Sequence, residues 1–287
     1  MAVNPDPDLI NMQIGIELRR LREEAGYTAA EAAEVIKGAS PKISKLENGN
    51  QGALPDEIRA LVTFYRASRE HRDYLIELAE QRPTQRRRRG SGRDAVPDWF
   101  RRFLALEWEA AEISTYQIDT VHGLLQTEDY MRSTISAWEP DAAGRLIDQQ
   151  VVTRLNRQQV LRRTGRPSAR IEVILSEAAL RRVQGNVKIM KAQLDHLVKI
   201  SKRPNITLRI IPFDKPDRIA VLSSFTLFRL PEQKLSMVYL EDVLGATYLK
   251  EPEEFTAYAS VFSRLRSSAL DPDSSREFIA KVAASYR

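Results

Sequence analysis

A cluster of polar and basic residues between positions 40 and 50 has side chains suited to hydrogen bonding with nucleic acid. Lysine donates to guanine edges or phosphate oxygens, and serine and asparagine can contact either bases or backbone. Such contacts require that the side chains share one exposed face of a regular element. The cluster comprises Ser40, Lys42, Ser44, Lys45 and Asn48. These residues indicate binding chemistry rather than bond-making chemistry.

The element preceding the cluster is a short helix with a clear start. Thr28 can cap the free N–H groups of a first turn, and Glu31, three residues later, can bond back to the Thr28 backbone. Ala32, Ala33 and Ile36 give this helix a small apolar face, which lets a second helix cross closely.

A tight turn and a second short helix follow. Gly38 offers conformational freedom for the reversal, and Ser40 with Pro41 is typical of an N-cap followed by proline at the first helical position. In a helix starting near Ser40, Ile43 and Leu46 share one face and are expected to be buried. The segment therefore predicts two helices joined by a turn, the unit that places one helix in a DNA groove.

One gap-free register gives this segment a family resemblance. From about Ile14 to Arg82 the chain resembles the Cro/repressor class of helix-turn-helix domains, also called XRE-type regulators. The resemblance implies an all-α, lambda-repressor-like domain that binds double-stranded DNA. The matching positions are Leu21, Arg22, Gly26, Thr28, Ala33, Ile43, Ser44, Leu46, Glu47 and Gly49.

The resemblance also implies roles for individual residues. In the family an arginine before the motif pairs with a glutamate near the end of the recognition helix, and the matching positions are Arg22 and Glu47. Structural roles in the motif fall on Arg22, Thr28, Ile43, Leu46 and Glu47. DNA contacts carry over to Ser40, Pro41, Lys42, Ser44 and Lys45, with Asn48 and Asn50 at the DNA backbone.

Two positions depart from the family pattern. Ala29 stands where the family often has a glutamine that holds phosphate, although the N–H groups of the helix N-terminus can still meet a phosphate. Pro41 replaces a common base-reading polar residue, so direct readout is expected to depend on Lys42 and Lys45. Similar helix pairs also occur in proteins that bind no DNA, but the register as a whole favours a DNA-binding domain.

Composition bounds the remaining possibilities. The 287 residues, 43% of them hydrophobic, suffice for two folded domains of ordinary size. The net charge of +5 fits a phosphate-bearing partner, but acidic and basic residues nearly balance over positions 1–96, so net charge adds little to the local pattern. The lack of cysteine excludes disulfides and thiolate chemistry. No apolar run approaches the roughly 20 residues that cross a bilayer, and the N-terminus lacks a signal-peptide pattern. We expect a cytoplasmic protein without a membrane partner.

The chain is predicted to divide into three parts. Residues 1–82 form the helix-turn-helix domain, residues 83–96 a basic linker, and residues 97–287 a second domain. The linker has no apolar core signal and is rich in Arg, Gly, Ser and Pro. It is either a solvated tether or an arm that touches the DNA backbone through Arg86, Arg87, Arg88 and Arg89.

The second domain has both helical and strand periodicity. An aromatic-rich amphipathic helix begins near Trp99, and helices are predicted at residues 144–163, 187–202, 252–266 and 274–286. β-branched and aromatic runs predict strands at residues 169–175, 205–212, 224–230 and 235–240. The fold class is therefore multidomain: an all-α domain followed by a larger α+β domain with a mostly antiparallel or mixed sheet.

The second domain also carries a resemblance, to the C-terminal domain of WhiJ-like actinobacterial regulators, whose biochemical function is unknown. It rests on phrases at residues 99–100, 118–130, 154–158, 176–182, 193–194 and 239–241. His122 stands where the family usually has a proline before the glycine. The resemblance implies a regulator whose C-terminal part senses or binds something, and some relatives are described as antitoxin-like with a small partner protein.

Catalytic signatures are missing from the sequence. The three histidines, His71, His122 and His196, lie in separate elements, and there is no HExxH, Walker or GxSxG motif. We therefore expect no metal, no cofactor and no catalytic residue. A pocket lined by Glu172, Glu177, Arg181 and Glu241 is the enzyme alternative, with surface charges the commoner explanation, and Trp99, Trp108 and Trp138 are expected to be core or interface anchors.

These observations predict a sequence-specific, DNA-binding transcriptional regulator that is not an enzyme. A homodimer is expected, because one recognition helix contacts too few base pairs for useful specificity. The C-terminal domain would respond to a small-molecule effector or to a small partner protein. The alternatives are an antitoxin-like subunit that neutralises such a partner and, from another class, an enzyme with a DNA-binding anchor.

Overall fold

The computed structural model describes residues 7–80, 98–162, 167–215, 223–231, 235–243 and 245–286. The chain divides into two compact units, residues 1–93 and 94–287. Within the described residues the first unit is helical, and the second combines helices with one six-stranded sheet. The predicted fold class, an all-α helix-turn-helix domain followed by an α+β domain, is confirmed.

Five helices build the described part of the first unit. They are α1 (Pro7–Glu24), α2 (Ala29–Val35), α3 (Ser40–Glu47), α4 (Pro55–Phe64) and α5 (Arg69–Glu80). Each contributes apolar residues at helical spacing to one core, as expected for short helices that are stabilised mainly by packing. In α5, Leu75 and Leu78 are buried and Tyr74 is exposed.

The order of elements in the second unit alternates helices with strands. The helices are α6 (Asp98–Glu109), α7 (Glu128–Trp138), α8 (Gly144–Arg157), α9 (Ala178–Arg181), α10 (Val187–Ile200), α11 (Pro252–Ser268) and α12 (Pro272–Ser285). The strands are β1 (Glu112–Gln117), β2 (Arg170–Ser176), β3 (Ile206–Ile211), β4 (Phe225–Leu230), β5 (Leu235–Asp242) and β6 (Gly245–Leu249). Short 3₁₀ turns cover Gly123–Leu125 and Gln158–Arg162.

The sheet is mixed, with the order β3-β2-β1-β4-β5-β6. β1, β2 and β3 are parallel, and the connections between them contain helices, as parallel pairing requires. β4, β5 and β6 continue the sheet in antiparallel pairing from β1. Four of the six strands are those that the sequence predicts; β1 and β6 are not among its predictions.

The missed strand β1 lies at the centre of the sheet. Its sequence, Glu-Ile-Ser-Thr-Tyr-Gln, contains few aliphatic residues, yet Thr115 is fully buried. The Thr115 hydroxyl donates to the carbonyl of Phe225 at 3.0 Å, and the Thr226 hydroxyl donates to Thr115 Oγ1 at 3.0 Å. A neighbouring strand therefore satisfies the polar groups that obscured this strand in the sequence.

Helices cover the faces of the sheet and its β3 edge. Phe255, Phe262 and Leu265 of α11 pack against one face. At the edge, the Ile210 N–H donates to Ser275 Oγ of α12 at 3.0 Å, and its carbonyl accepts from the N–H of Leu270 at 2.9 Å. These bonds occupy backbone groups that would otherwise be open to another strand.

Candidate nucleic-acid interface

The start of α2 has the hydrogen bonds that its sequence predicts. The Glu31 N–H donates to Thr28 Oγ1 at 3.2 Å, and the Thr28 N–H donates to Glu31 Oε2 at 2.7 Å. This reciprocal capping box fixes the first turn of α2. The Thr28 hydroxyl also donates to Glu31 Oε2, at 2.8 Å. The bonds from the Thr28 N–H and hydroxyl hold the pKa of Glu31 below its usual value, since they favour the ionised carboxylate.

The turn between α2 and α3 departs from the sequence prediction. Lys37, not Gly38, adopts the left-handed conformation, with a φ of 50°. Gly38 has a different importance, because a Cβ there would lie 3.2 Å from Cδ of Lys42. Gly38 thus makes room for the lysine stem rather than supplying the backbone reversal.

The recognition helix α3 begins one residue earlier than expected. Ala39 is its N-cap and provides no side-chain hydrogen bond, so Ser40 is the first residue of the helix and Pro41 the second. The prediction that Ser40 caps the helix is wrong. Proline remains tolerated there, because the first N–H groups of a helix have no partner inside it.

The two faces of α3 differ in exposure. Ile43, Leu46 and Glu47 are buried against the core, as the apolar spacing predicts for Ile43 and Leu46. On the opposite side the side chains of Ser40, Pro41, Ser44, Lys45 and Asn48 are exposed, and Asn50 is exposed just beyond the helix. The geometry therefore presents six of the seven candidate contact residues to solvent.

Lys42, the seventh candidate, is arranged differently. Its ammonium group contacts the carboxylate of Glu57 in the first turn of α4. Glu57 also accepts the Leu54 N–H at Oε2, at 3.0 Å. Lys45 makes no ion pair with any carboxylate in the described part of the chain. The two lysines of the recognition helix therefore differ in their surroundings.

A buried ion pair joins the core-facing side of α3 to α1. Arg22 donates from Nε to Glu47 Oε1 at 2.6 Å and from Nη2 to Glu47 Oε2 at 2.9 Å. The arginine also donates from Nη1 to the carbonyl of Tyr27, at 2.9 Å. This is the pairing that the family resemblance implies, and its two parallel bonds fix orientation as well as distance.

Close approach of α1 to the end of α3 requires two glycines. A Cβ at Gly15 would lie only 2.4 Å from the carbonyl oxygen of Leu46. Gly49 has a φ of +67°, and a Cβ there would lie 2.8 Å from Cα of Met12. Gly15 escaped the sequence prediction because a helical glycine gives no local signal of what crosses it.

The C-terminal unit contains its own buried ion pair, between α6 and α8. Arg157 donates from Nε to Glu107 Oε2 at 2.8 Å and from Nη2 to Glu107 Oε1 at 3.0 Å. The guanidinium carbon lies 5.1 Å from the ring centroid of Phe100 and 5.0 Å from that of Phe103. The cation is therefore both paired and packed against two aromatic rings.

The segment around His122 is built into this interior. The Leu124 N–H donates to Nδ1 of buried His122 at 3.4 Å. Burial, with a smaller contribution from the positive charge of Arg157, lowers the pKa of His122 to about 3. His122 thus caps a 3₁₀ turn as a neutral ring, which favours the structural role over ligand contact.

Glutamine side chains hold the rest of that segment. Gln193 of α10 donates to the carbonyl of Leu125 at 2.8 Å and accepts the Thr127 N–H at 2.7 Å. Gln158 donates to the carbonyl of Gln126 at 2.7 Å. These bonds join three of the phrases on which the second family resemblance rests, so the tertiary structure brings distant parts of the sequence together.

Two domain families account for these two regions. Residues 13–75 match a helix-turn-helix domain, and residues 100–281, more than half of the chain, match a domain of unknown function, DUF5753. The chain belongs to the DUF5753 family. No curated protein and no solved structure matches the chain. The helix-turn-helix match supports a DNA-binding regulator of XRE-like type.

The acidic residues weighed for an enzyme site do not converge in the DUF5753 domain. Glu172 lies on β2 and contacts Arg266 and Arg209, whereas Glu241 lies on β5, three strands further across the sheet. Glu177 pairs with Arg181 and accepts the Phe213 N–H at 2.8 Å. Each of these charges has a local structural partner.

The tryptophans, the arginine-rich segment and possible metal or membrane sites are the other candidate features of the sequence. Trp138 is not a core residue, because 69% of it is exposed, and Trp108 is partly exposed. The side chain of Trp99 and residues Arg86 to Arg89 lie outside the described part. Among the described residues, no group of three His, Cys, Asp or Glu side chains could hold a metal ion. None of the described helices is long and apolar enough to cross a membrane.

Proposed function

We propose that this chain is a sequence-specific transcriptional regulator of the XRE type that inserts α3 into the major groove of DNA. The observation that carries the proposal is the division of α3 into two faces. Ile43, Leu46 and Glu47 fix one face to the core, while Ser40, Ser44, Lys45 and Asn48 are exposed on the other. A rigidly held helix with an exposed polar face is what base-edge readout requires.

The proposed contacts follow the position of each residue on α3. Ser40 and Pro41 occupy the first turn, where backbone N–H groups can meet a phosphate. Ser44 and Lys45 occupy the exposed middle of the helix and are proposed to reach base edges. Asn48 and Asn50, at the end, are proposed to contact the DNA backbone, and Arg86 to Arg89 to form an additional phosphate-binding arm.

We further propose that the chain binds DNA as a homodimer and acts as a repressor or co-regulator. One copy of α3 spans only eight residues, too few to specify a useful site alone. Two copies would contact half-sites about one helical turn, roughly 34 Å, apart. The DNA that the protein selects would then contain two related half-sites at a fixed spacing.

Control is assigned to the DUF5753 domain in this proposal. That domain has its own sheet and its own core, so it can bind an effector without supplying residues to the fold of the first unit. The effector is a small ligand or a small partner protein, as in WhiJ-like actinobacterial regulators. In the second case the chain would also be an antitoxin-like subunit.

Selection from a random duplex library with the full-length chain tests DNA binding. A single enriched sequence, or a pair of half-sites, is expected, and Lys45→Ala should weaken binding to it by about 1–3 kcal/mol if Lys45 reads a base. Failure to enrich any sequence would contradict the function. Undiminished binding by the combined Ser44→Ala and Lys45→Ala variant would contradict the proposed reading face.

Native mass spectrometry of the chain purified from its own host tests the control mechanism. A co-purifying small protein supports the antitoxin-like or co-repressor form, and a bound metabolite supports the ligand-controlled form. Equal DNA affinity with and without that component would refute control through it, since a ligand shifts an equilibrium only by its difference in affinity for the two states.

A further inference from the structure

Lys42 and Lys45 stand three residues apart on the recognition helix but occupy unlike environments. The Lys42 side chain is 30% exposed, and the Glu57 side chain that it contacts is 16% exposed. Lys45 is exposed, and its side chain has no carboxylate at ion-pair distance within the described residues. One cation is thus committed to the protein and the other faces solvent.

The partner of Lys42 is itself anchored. Glu57 belongs to the first turn of α4, and its second carboxylate oxygen accepts the Leu54 N–H at 3.0 Å. A carboxylate at this end of a helix is stabilised by the unpaired N–H groups there. Glu57 therefore cannot follow Lys42 outward without losing its own bonds.

The stem of Lys42 is constrained as well. Its Cδ lies 3.2 Å from the position of a Cβ at Gly38, so the side chain passes across the turn between α2 and α3. The ammonium then reaches α4. Three elements of the helix-turn-helix unit, namely the turn, α3 and α4, meet at this one side chain.

We infer that Lys42 is a positioning residue that ties the recognition helix to α4, and that Glu57 competes with DNA phosphate for its ammonium group. Lys45 is then the lysine of α3 that is available to DNA. The inference rests on the proposed function. It assigns different roles to two lysines that the sequence alone treats as equivalent.

The salt dependence of binding distinguishes the two roles. Each cation that neutralises a phosphate contributes about 0.9 to the slope of log affinity against log salt concentration. A lysine held by Glu57 in the complex contributes nothing to this slope. In the full-length chain bound to its selected duplex, Lys45→Ala should flatten the slope by up to about 0.9, and Lys42→Ala should leave it unchanged.

Glu57→Gln tests the role of Lys42 more directly than Lys42→Ala does. Glutamine at this position can still accept the Leu54 N–H, as in a capping box, but it no longer neutralises Lys42. The slope should steepen by about 0.9 as Lys42 is released to phosphate. Asp56→Asn is the matched control, because it removes a neighbouring carboxylate that is 93% exposed and contacts Arg59 rather than Lys42.

Adding Lys42→Ala to Glu57→Gln should return the slope to that of the wild type. Equal steepening by Glu57→Gln and Asp56→Asn would overturn the inference, and so would equal flattening by Lys42→Ala and Lys45→Ala. Melting curves of Lys42→Ala, Glu57→Gln and the double variant, recorded without DNA, measure the coupling energy between the two side chains. Additive losses in that cycle would overturn the tie to α4 even if DNA binding is confirmed, whereas the absence of DNA binding by the wild type would refute the proposed function itself.

Discussion

Both units of the chain contain a buried arginine–glutamate pair with two parallel hydrogen bonds, but the pairs serve different surroundings. Arg22–Glu47 joins α1 to α3, and the far side of α3 is a row of exposed polar side chains. Arg157–Glu107 joins α8 to α6, and the arginine packs against the rings of Phe100 and Phe103. The first pair fixes a helix whose outer face remains free for a partner, whereas the second consolidates an interior.

The difference shows how one interaction type acquires two roles. In the first unit, the buried glutamate fixes α3 while Ser44, Lys45 and Asn48 stay exposed on its other side. In the second, the bonds around His122, Gln158 and Gln193 use polar side chains to hold a loop in place. The bonds of these three side chains indicate structural roles, since their partners belong to the protein itself.

Removal of Glu107 should have the largest effect. Glu107→Ala leaves the guanidinium of Arg157, whose side chain is only 10% exposed, without its carboxylate. Loss of one partner of a buried pair typically costs about 3–5 kcal/mol. Urea unfolding followed by the fluorescence of the three tryptophans, all in residues 94–287, measures this loss. Glu107→Gln, which keeps the shape, should cost less; equal stability of Glu107→Ala and wild type would show that the pair is not needed in the interior.

Removal of Arg22 should have a smaller effect on the other unit. The Arg22 and Glu47 side chains are 13% and 8% exposed, so water can partly replace the lost partner. Arg22→Ala should therefore cost about 2–3 kcal/mol, below the range for fully buried pairs. The midpoint of loss of helical circular dichroism reports it, with Arg22→Lys as a control that keeps the charge but not the two parallel bonds. An unchanged melting curve for Arg22→Ala would contradict a stabilising role for the pair.

The neutral ring of His122 predicts a pH effect confined to the second unit. A free histidine has a pKa near 6.5, whereas that of His122 is about 3, so between these values the unfolded chain binds a proton that the folded chain does not. Stability should therefore fall as the pH drops below about 6.5, by about 1.4 kcal/mol per unit.

The comparison with His122→Asn isolates this contribution. Asparagine can still accept the Leu124 N–H but does not titrate. Between pH 7 and pH 5 the wild type should lose about 2 kcal/mol more than the variant in urea unfolding. Parallel pH profiles for the two proteins would show that His122 is protonated equally well in both states.

Loss of the cap on α2 should give the smallest effect. Thr28→Ala removes the acceptor for the Glu31 N–H, and such caps contribute about 1 kcal/mol. Thr28→Ser keeps the hydroxyl and should retain most of that stability. Thermal melting of the two variants in parallel measures the difference, and identical midpoints would show that the helix start needs no side-chain cap.

The sequence was most informative where the information is local. The capping box at Thr28, the apolar spacing of Ile43 and Leu46, and four of the six strands follow from residue types a few positions apart. It failed where a distant element changes the environment of a residue. Thr115 is polar in sequence but buried in the sheet centre, where Phe225 and Thr226 of the neighbouring strand are its hydrogen-bond partners.

The candidate interface shows the same limit. The sequence identified α3 and its outward residues, because helical periodicity separates an apolar face from a polar one. It could not distinguish Lys42 from Lys45, since the partner of Lys42 lies fifteen residues further along the chain. Gly15 likewise acquires its importance only from the carbonyl of Leu46, which crosses it.

By itself, the sequence determined that two short helices joined by a turn precede an α+β domain, and it placed the Arg22–Glu47 pair through a family register. These features depend on the spacing of residue types and on their intrinsic conformational preferences, both of which can be read from short stretches of sequence. The tertiary structure alone decided that Lys37 takes the left-handed turn, that Arg157 is held between Glu107 and two phenylalanine rings, and that Glu57 holds Lys42. Such contacts join residues far apart in sequence, and only the packing of whole elements brings them together.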